Sequence, residues 1–194
     1  MRVAAGASYQ EFGLTSRGDV FTIANLSQGD AHLQKAIIDT KSSSADAYFH
    51  LSGMSSFPFM AEQESAAETG FTGFGGVTND SRRMVLEFTD FAPGETFSFQ
   101  IDVDNRHSWF TSGSDFAGTT LSTVFTSSDN TTELIGAFNA TEDSWVSALA
   151  ELYSPTPRPD FTNPEPSSLL LALIGGATLG AFVLNTKRIS SPTD

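Results

Sequence analysis

From Thr96 to Val103 the chain alternates without a break: Phe97, Phe99, Ile101 and Val103 are separated by Ser98, Gln100 and Asp102. A period of two is the pattern of a strand with one apolar and one wet face. Met84, Leu86 and Phe88 repeat at the same interval just upstream, with Pro93-Gly94 between the two runs. Proline fixes φ and glycine tolerates a positive one, which suits a type II turn, so a hairpin is predicted here. Shorter apolar or β-branched runs lie at Val20–Leu26, Leu33–Thr40, Tyr48–Leu51, Thr119–Thr126 and Glu133–Phe138, bounded by Gly, Asn, Asp or Ser. They predict further strands. Ser144–Tyr153 fits a helix through Trp145, Leu149 and Leu152, or a closing strand. Residues 54–80, with Phe57, Phe59, Phe71 and Phe74 among Gly, Ser, Ala and Glu, read as a long loop pinned by aromatics, the Gly73–Gly76 cluster included. The sum is an all-β chain: an antiparallel β-sandwich or jelly-roll-like domain over residues 1–153.

At Ser154 the pattern changes. Pro155, Pro157, Pro159, Pro164 and Pro166 permit neither a helix nor a central strand, which predicts an extended spacer over residues 154–163. No charge then occurs from Pro166 to Thr186, and Leu169–Leu184 is apolar almost throughout. As a helix at about 1.5 Å per residue that span reaches roughly 31 Å, the thickness of a hydrocarbon core. Lys187 and Arg188 follow it. By the positive-inside rule residues 189–194 form a short cytoplasmic tail, and everything before the helix lies outside the cytoplasmic membrane. Met1–Ser8 has no apolar core of its own and matches the small-residue end of a secretory leader, which predicts an in-frame leader encoded upstream.

Composition narrows the function classes. The chain of 194 residues carries a formal charge of −13. Such a surface repels phosphate backbones, so no nucleic-acid partner is expected. It has 17 Phe, too many for a disordered acidic tail, and no Cys, which removes thiol chemistry and thiolate metal sites.

The segment Pro164-Glu165-Pro166-Ser167-Ser168, an apolar helix and a short basic cluster resemble the PEP-CTERM sorting signal of exported bacterial proteins. The resemblance covers residues 163–188; the family usually ends within an arginine-rich run, whereas here Ile189–Asp194 continue. It implies an exosortase, a membrane enzyme that reads the tag and processes it near Pro164-Glu165-Pro166, and a host that makes exopolysaccharide or biofilm. Leu86–Asp104 and Asp115–Gly118 look like the extracellular domains that often precede the tag, which are β-sandwiches with no assigned catalysis. The expected protein is therefore exported and non-catalytic, held in the membrane before processing and afterwards at the cell surface. Its expected partners are the membrane, an exosortase, and extracellular polysaccharide or other surface proteins. A secreted hydrolase using Asp and Glu, or a plain anchored structural protein, are the alternatives.

Local chemistry is sparse. His32, His50 and His107 lack a metal-ligand spacing, and no nucleophile elbow or phosphate loop is present. Asp102 and Asp104 point to one face of a strand end; with the Asn105 carbonyl oxygen and Asp115 from a neighbouring loop they offer oxygen ligands for Ca²⁺, or they are solvated strand-end acids. No other cofactor is expected. Trp109-Phe110 is either core or a surface on which sugar rings could stack. Arg17-Gly18-Asp19 spells an integrin-type tripeptide where turn chemistry selects such residues anyway, and Asn25-Leu26-Ser27 matches the eukaryotic glycosylation acceptor, which carries little meaning in a bacterial chain.

Overall fold

In the computed structural model, residues 2–11, 18–51, 57–108, 110–128, 130–142 and 146–154 are described. Met1–Ser154 is one compact unit. Pro164-Glu165-Pro166, expected as a sorting motif, the apolar segment and Lys187-Arg188 lie outside the described residues, among which no helix is long and apolar enough to cross a membrane.

Alternation sets the strands, and burial follows it residue by residue. The first sheet contains β1 (Ala4–Gln10), β2 (Asp19–Asn25), β4 (Tyr48–His50), β5 (Met60–Ala61), β8 (Thr96–Asp104), β11 (Asn139–Ala140) and β12 (Ser147–Tyr153). Its order is β11-β12-β1-β2-β8-β4, with β5 also on β8. The second sheet contains β3 (His32–Asp39), β6 (Phe71–Gly75), β7 (Arg83–Phe91), β9 (Thr120–Thr126) and β10 (Thr131–Ala137), in the order β10-β9-β3-β7-β6. All the pairings are antiparallel. The described residues also form two short α-helices, α1 (Gln63–Glu68) and α2 (Gly113–Phe116), and a 3-10 turn at Thr40–Ser42.

One apolar cluster draws on both sheets, which makes the unit a sandwich. Its contents are largely aromatic. The Phe21 and Phe99 rings stack across neighbouring strands at 4.9 Å, Tyr9 stacks on Phe116 at 4.1 Å, and Phe88 meets Phe97 from the opposite sheet edge-on at 5.1 Å. Offset and edge-on contacts are the arrangements that ring quadrupoles favour.

Several expectations change here. β7 and β8 are both strands with the expected inward faces, yet they do not pair: β7 lies between β3 and β6, and β8 between β2 and the β4 and β5 edge. The Ala92–Glu95 turn is of the expected kind, with Gly94 at φ 90° and the Glu95 amide donating to the Ala92 carbonyl. It carries the chain from one sheet to the other, because the Gly94 amide donates to the Asn25 carbonyl and Asn25 donates back to Glu95. A type II turn lacks the twist of the primed turns that close two-residue hairpins.

Residues 54–80 are not all loop. They include β5, α1, whose first amides Glu62 caps, and β6, which takes in Gly73 and Gly75. The aromatic pinning is real, since Phe59 stacks on Phe74 at 4.2 Å. Ser144–Tyr153 contributes a strand, β12. Ala4–Ser8 belongs to β1, held between β2 and β12, so these small residues are interior sheet. Ser154 is part of the sandwich rather than of the spacer: its amide donates to the Val3 carbonyl, and its hydroxyl accepts from the Val3 amide.

Where β2 leaves the first sheet for the second, Asn25 is fully buried. Its Nδ2 donates to the carbonyls of Ala31 and Phe91 at 2.8 and 2.9 Å, and its Oδ1 accepts from the Ser27 amide. One side chain thus ties the first sheet to the chain entering β3 and to the end of β7, and is closed to glycan attachment. Replacing Asn25 with Ala strands two buried carbonyls and an amide, and a loss of about 3 kcal/mol is expected. Urea unfolding of the variant beside the exposed-face control Thr22→Ala measures it; equal stabilities would contradict the tie.

Candidate functional site

The outer face of the first sheet gathers the chemistry. In β8 the inward residues are Phe97, Phe99, Ile101 and Val103, so the strand's parity places Asp102 on the opposite face with Asp104 beyond it. β4 runs alongside with Tyr48 opposite Asp104, Phe49 opposite Val103 and His50 opposite Asp102. Phe49 is fully buried and sets the parity of that short strand, which leaves Tyr48 and His50 facing out.

His50 reaches diagonally across the pair, and its Nδ1 lies 2.5 Å from Asp104 Oδ2. The Asp104 side chain is 8% exposed and that of His50 is 22% exposed. One ligand-type atom from each of His50, Asp102 and Asp104 lies within 4.8 Å of the others. The Tyr48 ring stands 6.2 Å from that of His50. Burial raises Asp102 to about 7, the charge of Asp104 adds to that, and His50 opposes it.

Of the residues expected to form an oxygen site, the structure brings Asp102 and Asp104 together and gives the other two different work. Asn105 is buried; its Oδ1 accepts from the His107 amide and its Nδ2 donates to the Phe110 carbonyl. Asp115 sits in α2, not in a loop: its carboxylate accepts from the Ser112 amide and hydroxyl, a capping box that starts the helix. The third member of the group, His50, is missing from that expectation because the three histidines are far apart along the chain. The detectable signal was Tyr48–Leu51 as a strand of its own, which needed a partner.

Other motifs settle into structural roles. Asp30 accepts from the Ser128 amide and His32 pairs with Asp90 at 3.5 Å, so Asp30 and His32 do not form a dyad. Asp19, the last residue of the integrin-type tripeptide, is buried and accepts from the Val103 amide. Phe110 is about a third exposed, and Trp109 lies outside the described residues.

Beneath the His50 group runs a second acidic cluster. The Tyr9 hydroxyl donates to the Thr111 carbonyl at 2.5 Å and lies 3.1 Å from Glu11 Oε2, which also accepts the Thr111 amide. Asp19 hydrogen-bonds Glu11. Burial, then the charge of Glu11 and that shared bond, hold the Asp19 carboxyl well above the usual carboxylate range.

A carboxyl whose folded pKa is raised binds a proton that the unfolded chain has already lost. Stability is then complete below the ordinary value near 4 and falls as pH rises toward the folded value. The raised Asp19 and Asp102 together predict a melting temperature that falls between about pH 5 and pH 8. Asp19→Asn keeps an acceptor for Val103 and a donor for Glu11 without titrating, so this variant should show a shallower slope and a higher melting temperature at pH 8. An unchanged slope would remove Asp19 from the account. No family model matches the chain, and neither a curated protein nor a solved structure does, which leaves the residues themselves to carry the functional reading.

Proposed function

We propose that the chain is an exported, non-catalytic surface or extracellular-matrix protein, whose sandwich stands outside the cytoplasmic membrane and whose C-terminal tag is read by an exosortase. One observation carries the reading. The compact unit ends at Ser154, bonded to Val3, immediately before the proline run that leads to Pro164-Glu165-Pro166. The last strand, β12, is already paired along its length with β1. A processing enzyme that removed everything after Pro166 would therefore take nothing from the sandwich. The prolines keep the site extended, Glu165 suits a headgroup region, and Lys187-Arg188 retain the far end in the cytoplasm.

The surface supports binding over turnover. A shallow hollow of about 190 Å³ lies on the first sheet against Gly6, Leu26 and Leu149, and a second of about 330 Å³ against Val20, Met60 and Gln100. Each is lined by a single carboxylate, Glu151 in one and Glu62 in the other. Glycoside hydrolysis needs two carboxyls facing each other across a cleft. The partner we assign to the sandwich is extracellular polysaccharide or another surface protein.

In a host carrying an exosortase, intact-mass spectrometry of the mature protein should find a C-terminus near Pro164-Glu165-Pro166, and Glu165→Ala should leave the chain in the membrane fraction. A mature protein that still carries Lys187-Arg188 would overturn the proposal. Glycan screening of the same protein separates the alternative: turnover abolished by one carboxylate substitution would make it a hydrolase.

A further inference from the structure

We propose that His50, Asp102 and Asp104 bind a divalent first-row transition ion, with Zn²⁺ as its probe, on the outer face of the sandwich. The argument starts from charge. Asp102 and Asp104 are two carboxylates on neighbouring outward positions of one strand, Asp104 nearly buried, and among the described residues neither meets an arginine or a lysine. Cations are close by and are directed elsewhere. Arg106, two positions after Asp104, pairs through Nε with Asp46 at 2.5 Å, and Arg82 pairs with the other oxygen of the same carboxylate at 2.5 Å. Asp46 takes a left-handed backbone, φ 61°, to hold both. Both guanidinium groups are thus engaged by Asp46, and what faces the acidic pair is an imidazole.

Donor chemistry selects the metal. Calcium takes six to eight oxygens and rarely an imidazole, and the Asn105 and Asp115 oxygens it would need are engaged in a turn and a helix cap. One imidazole nitrogen and two carboxylate oxygens suit zinc and its first-row neighbours, with water completing the shell. Bonds of about 2.0–2.2 Å at tetrahedral angles separate ligand atoms by roughly 3.3 Å. The group's atoms lie within 4.8 Å, and the His50–Asp104 contact is 2.5 Å, so an ion entering between them opens one spacing by about 1 Å and draws in another by up to about 1.5 Å. Both adjustments lie within the reach of side-chain rotation on a strand pair.

The bound ion would join β4 to β8. β4 has only three residues, paired with β8 and tied on its other side by the Phe49 bridge to Ser81. A ligand from each strand acts there as a cross-strand clip, so the site should show itself in stability as well as in affinity.

The test is titration calorimetry and thermal melting of the full-length chain in detergent, stripped with a chelator and then given Zn²⁺, Co²⁺ or Ca²⁺. Expected are one Zn²⁺ per chain, a melting temperature raised by Zn²⁺ but not by equal Ca²⁺, and visible Co²⁺ absorption of tetrahedral intensity. His50→Gln, Asp102→Asn and Asp104→Asn should each weaken Zn²⁺ at least tenfold. Each variant is melted in chelator first, and His50→Gln, whose side chain is only partly buried, keeps the test decisive if an aspartate variant unfolds. Zn²⁺ binding equal in wild type and His50→Gln would mean adventitious binding elsewhere and overturn the proposal. So would absence of Zn²⁺ binding, or a calcium response that His50→Gln leaves intact, which would point to an oxygen-only site.

Discussion

The apolar faces of two sheets, with aromatic rings gathered between them, have to be closed against one another, and every other feature of the sandwich accommodates that closure. Phe21, Phe97 and Phe99 project from adjacent strands of the first sheet and Phe88 and Phe91 from the second, all essentially removed from water. A buried phenylalanine truncated to alanine typically costs about 3–5 kcal/mol, so a handful of such residues outweighs the whole margin of a typical domain. The chain has no disulfide and makes no use of one. What remains for polar groups is to finish the ends: Asn25 between the sheets, Ser112 and Asp115 at α2, Ser154 against Val3.

The same closure dictates where charge can go. Each long strand has to spend one face on apolar side chains, which pushes acids onto the other face or to the strand ends. Asp19, hydrogen-bonded to Glu11, is the residue of that constraint at the sandwich rim. Asp102 and Asp104 are its expression on the outer face, at the end of the strand that buries Phe97 and Phe99. Their meeting with His50 follows from parity: once Phe49 and Val103 are paired inward, His50 and Asp102 stand side by side outside.

How much of this the amino-acid sequence displays depends on whether the signal is local. Phe97 to Val103 announces β8 and its faces, and Pro93-Gly94 announces its turn, because both rest on neighbours in the chain. Whether β7 and β8 share a sheet is not a local property, since strands that pair and strands that face one another carry the same alternation. β1 was hidden for a different reason: Ala4, Ala5, Gly6, Ala7 and Ser8 have weak strand preference and little side chain to alternate, and only their place between β2 and β12 makes them a strand. Asn25 read as a glycosylation acceptor because its value lies in carbonyls from distant segments. His50 lies 54 positions from Asp104, and no spacing rule reaches across such a gap.

The pairing of β1 with β12 joins Ala4 to Tyr153, almost the full length of the folded unit. Contacts of such separation are late and slow to form, because the entropy of closing the loop precedes any return from the contact. Until the final strand is supplied, that edge of β1 is free. A polypeptide built in this way stays open during synthesis. Delay of that kind would suit the export proposed for this chain, in which threading through a membrane precedes folding.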